Sequence, residues 1–290
     1  ARLADMLPLV QSIGLRLFRR SEIAPIPKQA DVILWRDALS SAEPRPVEID
    51  PLTDLALLQY TGGTTGTPKG AMLTHANVYI NVKQVVSWAP SLIDAEERVL
   101  GVLPFFHVFA MTVVMNYGIA KGAEIIIMPR FVLNDAMKLI DKTKPTVMPG
   151  VPTLFNAIMN HPKLKSFDLS SLKFCLSGGA ALPAEVKARF EELTGCKLVE
   201  GYGLSETSPV LTCNPLEGGP QGSIGLPLPQ TVLSLRDLAD PTREVAQGER
   251  GEVCAFGPQV MQGYWKRPDE TANQFVGRFL RTGDVAVMDA

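Results

Sequence analysis

The run Tyr60-Thr-Gly-Gly-Thr-Thr-Gly-Thr-Pro-Lys-Gly70 concentrates groups that bind anions. At Gly62, Gly63 and Gly66 no side chain keeps the backbone N–H groups from converging on phosphate oxygens. Thr61, Thr64, Thr65 and Thr67 add hydroxyl donors, and Lys69 adds a positive charge. The pattern is a phosphate grip. It is not the G-K-[ST] loop of ordinary kinases and GTPases, because Pro68 precedes Lys69 and Gly70 follows it. Taken alone, the run is equally readable as a flexible glycine-rich hairpin.

A second group is Glu200-Gly-Tyr-Gly-Leu-Ser-Glu-Thr-Ser-Pro209, in which an aromatic ring (Tyr202) and two carboxylates (Glu200 and Glu206) follow an apolar run. In α/β proteins, strand ends of this kind are where ligands bind. The plainer alternative is a core tyrosine beside a solvated glutamate. Ser177-Gly-Gly-Ala-Ala181 is a stretch of small residues between an apolar run and Pro183, suited to a ligand lying against the main chain. Leu103-Pro-Phe-Phe-His-Val-Phe-Ala-Met111 sets His107 among Phe105, Phe106, Phe109 and Met111, with Val113 and Met115 following. These surroundings suit a hydrocarbon, although each apolar residue is equally readable as core. Arg281-Thr-Gly-Asp284 offers a carboxylate able to accept two hydrogen bonds.

These residues need a scaffold, and the sequence supplies an alternating one. Short apolar runs at 55–60, 99–103, 124–128, 146–148, 173–176 and 197–199 are separated by helical patterns at 76–88, 108–120, 134–142, 153–160 and 184–193. Such alternation predicts an α/β fold with a mostly parallel sheet and flanking helices. After about residue 215 the pattern changes to short β runs at 232–236, 251–256 and 285–288, punctuated by Gly and Pro, which predicts a small β-rich, barrel-like subdomain. Residues 1–50, with Pro25, Pro27, Pro44 and Pro46, read as an irregular lead-in, 51–215 as the α/β core and 216–290 as the β-rich part.

The formal net charge is −2 with a pI near 6.0, which argues against nucleic acid as a partner. Cys175, Cys196, Cys213 and Cys254 are widely spaced, as are His75, His107 and His161, so neither a disulfide framework nor a transition-metal site is expected. Residues 1–20 mix apolar residues with Arg16, Arg19 and Arg20, but Asp5 and Pro8 interrupt them. They read as a connector rather than a signal peptide or a membrane span, with a basic amphipathic surface segment as the alternative. The apolar stretch 110–128 is broken by Gly118, Lys121, Gly122 and Glu124. A cytoplasmic protein is expected, with at most peripheral contact at the inner face of the membrane. A homodimer stays open, because subunit contacts leave no signal in the sequence.

Together, in this order and across residues 50–290, the motifs resemble those of the AMP-forming adenylating superfamily of acyl-CoA synthetases, luciferases and peptide-synthetase adenylation domains. Gly62, where the commonest version has Ser, resembles the bacterial long-chain fatty-acid–CoA ligases. The resemblance implies that Thr61–Lys69 grips the phosphates of ATP and that Glu206, helped by Thr61, holds Mg²⁺. It further implies that Gly178, Gly179, Ala180 and the segment Glu200-Gly201-Tyr202-Gly203-Leu204-Ser205 hold adenine, and that Asp284 takes the ribose hydroxyls. An aromatic face suits a purine, and a hard carboxylate oxygen suits Mg²⁺.

His107 stands where peptide-synthetase domains usually carry an Asp for an α-amino group, which disfavours an amino-acid substrate. Lys69, Thr61, Glu206 and His107 are the expected catalytic set, and fatty acid, ATP and coenzyme A the expected substrates. Activation of an acid to acyl-AMP, then transfer to CoA, is the implied reaction. Two alternatives remain: a ligase that takes a medium-chain or aromatic acid or loads a carrier protein, and a non-catalytic nucleotide- or acyl-binding module. The family's later mobile domain, with its hinge residue and lysine, is expected beyond Ala290, so this stretch alone is expected to bind ligands and turn over poorly.

Overall fold

A computed structural model describes residues 9–18, 21, 46–61, 67–220 and 222–289. The chain divides into two compact units, residues 1–48 and 49–290. In the first, α1 (Leu9–Phe18) is a regular element inside the stretch read as an irregular lead-in.

The second unit opens with a hairpin, β1 (Leu55–Thr61) and β2 (Lys69–Thr74), paired antiparallel so that Thr61 faces Lys69 at the end where the two strands are connected. The first apolar run is therefore not part of the parallel sheet. The chain then turns directly into α2 (His75–Trp88) through a reciprocal cap: the Asn77 N–H donates to Thr74 Oγ1 at 3.1 Å, and the Thr74 N–H to Asn77 Oδ1 at 2.9 Å.

The alternation continues through β3 (Arg98–Gly101), the helical run α3 (108–121), β4 (Glu124–Ile127) and α4 (Leu133–Thr143) to β5 (Val147–Gly150) and α5 (Pro152–Met159). It ends with β6 (Phe174–Ser177), α6 (Ala184–Thr194) and β7 (Lys197–Gly203). The strands assemble in the order β4-β3-β5-β6-β7, all parallel. Two short strands that the sequence reading missed, β8 (Val210–Cys213) and β9 (Leu226–Pro227), extend the sheet antiparallel beyond β7.

Strand side chains alternate with period two. Val99, Val147, Leu176 and Val199 pack with α2 and α3 on one face. Leu100, Met148, Cys175 and Leu198 pack with α4, α5 and α6 on the other. The helix after β3 thus lies on one face and that after β5 on the opposite face. Their loops diverge and leave a crevice at the carboxyl ends of the strands. Within α3, Met111–Asn116 is wound as a π-helix, and Thr112 Oγ1 donates to the Ser208 carbonyl at 2.6 Å. Such segments often mark functional positions.

The remainder is a four-stranded antiparallel sheet in the order β10 (Val232–Arg236), β11 (Arg250–Phe256), β13 (Phe279–Val287), β12 (Phe275–Val276), with α7 (Pro268–Gln274) before β12. The run expected at 285–288 is the end of a much longer strand. The segment before α7 docks on the β2 edge: the Met72 N–H donates to the Gly263 carbonyl at 2.8 Å and the Trp265 N–H to the Gly70 carbonyl at 2.8 Å.

A buried polar seam ties the pieces together. Asn81, fully buried on α2, donates to the Val210 carbonyl at 2.8 Å and accepts from the Val210 N–H at 3.0 Å. Gln259 donates to Thr231 Oγ1 at 2.6 Å, and Ser208 Oγ donates to the Gln259 carbonyl at 2.9 Å. Asn81→Ala leaves the Val210 N–H without its partner and its carbonyl with only the longer bond from Gln259 at 3.4 Å, and we expect a loss of about 2 kcal/mol, read as a lower urea midpoint at unchanged slope.

Candidate functional site

A cleft of about 220 Å³ opens at the carboxyl ends of β6 and β7. His107, Phe109, Leu176, Gly178, Gly179, Gly201, Tyr202, Gly203, Leu204, Ser205, Pro209 and Val210 all line it. Two glycines shape its floor. A Cβ on Gly178 would come within 3.0 Å of the Phe109 ring, and Gly179 adopts φ +78°, where side chains are strained. Ala180, next along the loop, is exposed. His107 caps the start of α3: its Nδ1 accepts the Phe109 N–H at 3.2 Å, which leaves Nε2 as the donor.

Asp284 meets the cleft residue Tyr202 from the antiparallel sheet. Between the pairs Glu252↔Val285 and Cys254↔Arg281, β11 has one residue and β13 has three, so Thr282-Gly283-Asp284 bulges from the ladder. Three contacts set the bulge. The Arg281 guanidinium donates twice to Glu252 Oε2, at 2.9 and 2.7 Å; the Gly283 N–H donates to Glu252 Oε1 at 3.1 Å; and Thr282 Oγ1 donates to the Val253 carbonyl at 2.8 Å. From there Asp284 Oδ2 accepts the Tyr202 hydroxyl at 2.7 Å. Burial pushes the Tyr202 phenol above its usual range, and the neighbouring Asp284 adds to that shift, so the hydroxyl keeps its proton and donates.

Lys69 and Glu206 meet at Tyr264, a residue outside the expected site set. The Lys69 ammonium lies 4.2 Å from the centroid of the Tyr264 ring, and the Tyr264 hydroxyl donates to Glu206 Oε1 at 2.7 Å. The turn Ser205–Thr207 that carries Glu206 packs against both β1 and β2. Among the described residues Thr61 Oγ1 donates only to the Lys69 carbonyl, at 3.4 Å, and Thr67 is exposed. Gly62, Gly63, Thr64, Thr65 and Gly66 lie outside the described residues. Among the described residues no three His, Cys, Asp or Glu cluster together. A Mg²⁺ that keeps phosphate and water ligands needs only one or two protein carboxylates, so Glu206 fits that task.

Glu200 departs from the expectation that it contacts a cofactor. Its carboxylate is not part of the cleft wall. It lies behind the glycine loop, where Oε1 accepts the Leu182 N–H at 3.0 Å beside a small cavity of about 20 Å³ that Lys187 and Asn214 also line. The reason is burial of a strand-end side chain beside the Leu182 amide.

The residues missed in the sequence are Glu252, Tyr264, Leu176, Pro209 and Val210. Glu252 and Tyr264 lie in the Gly251-Glu-Val and Gly263-Tyr-Trp stretches, which also resemble the superfamily's motifs and read as structural, an acid among strand-forming residues and a tyrosine of the buried type.

A second, almost wholly apolar cavity of about 30 Å³ lies between the sheet and helices α2 and α3. Leu176 and Val210 belong to the walls of both spaces. Trp88, Val113 and Tyr117 are among the residues at its other walls.

Comparison with known proteins follows the same lines. A family model described as AMP-binding enzyme matches residues 15–265. The long-chain-fatty-acid–CoA ligase of Bacillus subtilis (strain 168) is 51% identical over 98% of this chain and 52% of its own length. Feruloyl-CoA synthase of an Amycolatopsis species is 38% identical over 87% of this chain and 51% of its own length. Among solved structures, a long-chain-fatty-acid-CoA ligase (FadD1) from Archaeoglobus fulgidus superimposes with a TM-score of 0.75 at 30% identity, over 84% of this chain and 51% of that one. The chain spans about half the length of the curated relatives it matches.

Burial pushes the Glu200 carboxyl above the usual carboxylate range, partly offset by the Leu182 N–H. The native state then holds that proton more tightly than the unfolded chain. Stability from this group is full below the unfolded value and is lost as pH rises through the raised folded value. Glu200→Gln keeps an acceptor for Leu182 and removes the buried charge. Its melting temperature should exceed that of the unsubstituted protein at about pH 8 and converge with it below roughly pH 4, with AMP affinity unchanged.

Proposed function

The chain belongs to the AMP-binding enzyme family, and on that premise we propose that it carries the adenylate-forming site of a long-chain acyl-CoA ligase. The observation that carries this reading is that Gly178, Gly179, Tyr202 and His107 line one cleft and that Asp284, on its bulge, is hydrogen-bonded to Tyr202 there. Leu176 and Val210 line both that cleft and an apolar cavity.

Adenine lies between the Gly179-Ala180 backbone and the face of Tyr202, and Asp284 accepts the ribose hydroxyls. The triphosphate points towards Lys69 and the Thr61–Lys69 loop. Mg²⁺ bound at Glu206 supplies charge neutralisation for the phosphates. His107 places an Nε2–H donor at the carboxylate end of the acid, and the tail passes between Leu176 and Val210 towards Val113 and Tyr117. In this pose a carboxylate oxygen of the acid attacks the α-phosphorus, and the bond to pyrophosphate breaks. The thiol of CoA then attacks the acyl carbon, releasing AMP and a proton. The protein's own task is alignment and electrostatic stabilisation, with no covalent step on a side chain.

A ligase for a small or aromatic acid is the second reading. It is favoured by the size of the apolar cavity: about 30 Å³ has room for a few atoms, so a long chain requires Leu176, Val210 and the helix side chains to move apart.

Non-hydrolysable acyl-adenylate analogues of increasing length distinguish the two. A ligand at about 100 times its Kd adds roughly 2.7 kcal/mol of stability, which corresponds to a melting shift of roughly 5 °C or more for a protein of this size. The long-chain reading expects the shift to grow with chain length and to vanish in Asp284→Ala. A maximum at an arylpropenoyl adenylate would support the second reading, and no shift with any analogue would remove both.

A further inference from the structure

We propose that Tyr264 is a positioning residue for the phosphate end of the site: its ring carries the Lys69 ammonium and its hydroxyl holds the Glu206 carboxylate, so that both charges face the ligand without neutralising each other. This inference rests on the function proposed above.

The geometry is specific. Lys69 and Glu206 form no ion pair with each other among the described residues; each instead meets a different part of one phenol. A cation is attracted to the negative face of an aromatic ring, and a carboxylate to its hydroxyl proton. A direct Lys–Glu pair would leave less of either charge for a phosphate or a cation. With Oε1 taken by the phenol, Oε2 of Glu206 remains for a hard cation that retains its other ligands.

Tyr264 is itself held independently of the two charges. It is 3% exposed. Its N–H donates to Thr271 Oγ1 at 2.8 Å, it bridges Ala71 across the β2 edge, and the Met261 N–H nearby donates to the Glu206 carbonyl at 2.8 Å. The phenol has a single proton and two acceptors, Glu206 Oε1 at 2.7 Å and Gln274 Oε1 at 3.3 Å. The amide of Gln274 is oriented by its own bond to the Arg281 carbonyl, so the shorter, charge-assisted bond to Glu206 takes the proton. One buried ring therefore joins the glycine-rich hairpin, the Glu206 turn and, through Gln274, the strand that carries Asp284.

Tyr264→Phe keeps the ring, its packing and the contact with Lys69, and removes only the hydroxyl. Calorimetric titration of the unsubstituted protein, Tyr264→Phe, Glu206→Gln and the double variant with MgATP, and with AMP in EDTA, tests the role without relying on turnover. Tyr264→Phe should weaken MgATP by about 10-fold, leave metal-free AMP within about two-fold, and add nothing further once Glu206 is Gln. Equal losses for MgATP and metal-free AMP would mean that Tyr264 supports the fold only and would overturn the inference. So would an undiminished effect in the Glu206→Gln background. If the unsubstituted protein shows no Mg²⁺-dependent gain in ATP affinity, the proposed function fails, and the role of Tyr264 fails with it.

Discussion

Two sheets and a hairpin that share no strand must deliver residues to one cleft, and the buried polar seam around Ser208–Val210 fixes their placement. Asn81 grips both backbone groups of Val210, Ser208 binds the carbonyl of Gln259, and Thr112 binds the carbonyl of Ser208. An apolar seam of the same size could slide with little loss. A hydrogen-bonded one cannot, because each displaced group would be left buried and unsatisfied. The consequence is positional: Pro209 and Val210 line the cleft, the Glu206 turn precedes them, and the segment that bears Tyr264 follows Gln259.

On that frame the site separates its charges by distance from the core. Glu200 sits behind the glycine loop as a backbone brace, in surroundings that disfavour its ionisation. Asp284 is carried outward on a bulge that the Arg281–Glu252 pair sets from the rear. Lys69 and Glu206 share one tyrosine, Tyr264.

The chemistry-bearing segments were legible because each is local. A glycine-threonine run, a small-residue turn after a strand and a strand-end Tyr–Glu pair all signal through consecutive residues. The parallel core was legible for a similar reason: apolar runs such as 99–103 and 173–176 alternate with helical periods. What failed to show depends on partners far away in sequence. Leu55–Thr61 has the composition of any strand, and only pairing with Lys69–Thr74 takes it out of the main sheet. Val210–Cys213 is short and follows a proline, and its strand character comes from Tyr202 and its neighbours. Glu252 and Tyr264 read as ordinary strand and turn residues, since their partners Arg281, Gly283 and Glu206 lie 29, 31 and 58 positions away. Glu200 went the other way: it stood in a binding motif, and burial turned its carboxylate to a backbone amide.

The most direct measurement is a crystal structure of this chain with AMP. The account predicts adenine between the Gly179-Ala180 backbone and the Tyr202 ring, with the ribose hydroxyls within hydrogen-bond distance of Asp284. AMP seated elsewhere, or seated in the cleft with its ribose directed away from Asp284, would contradict it.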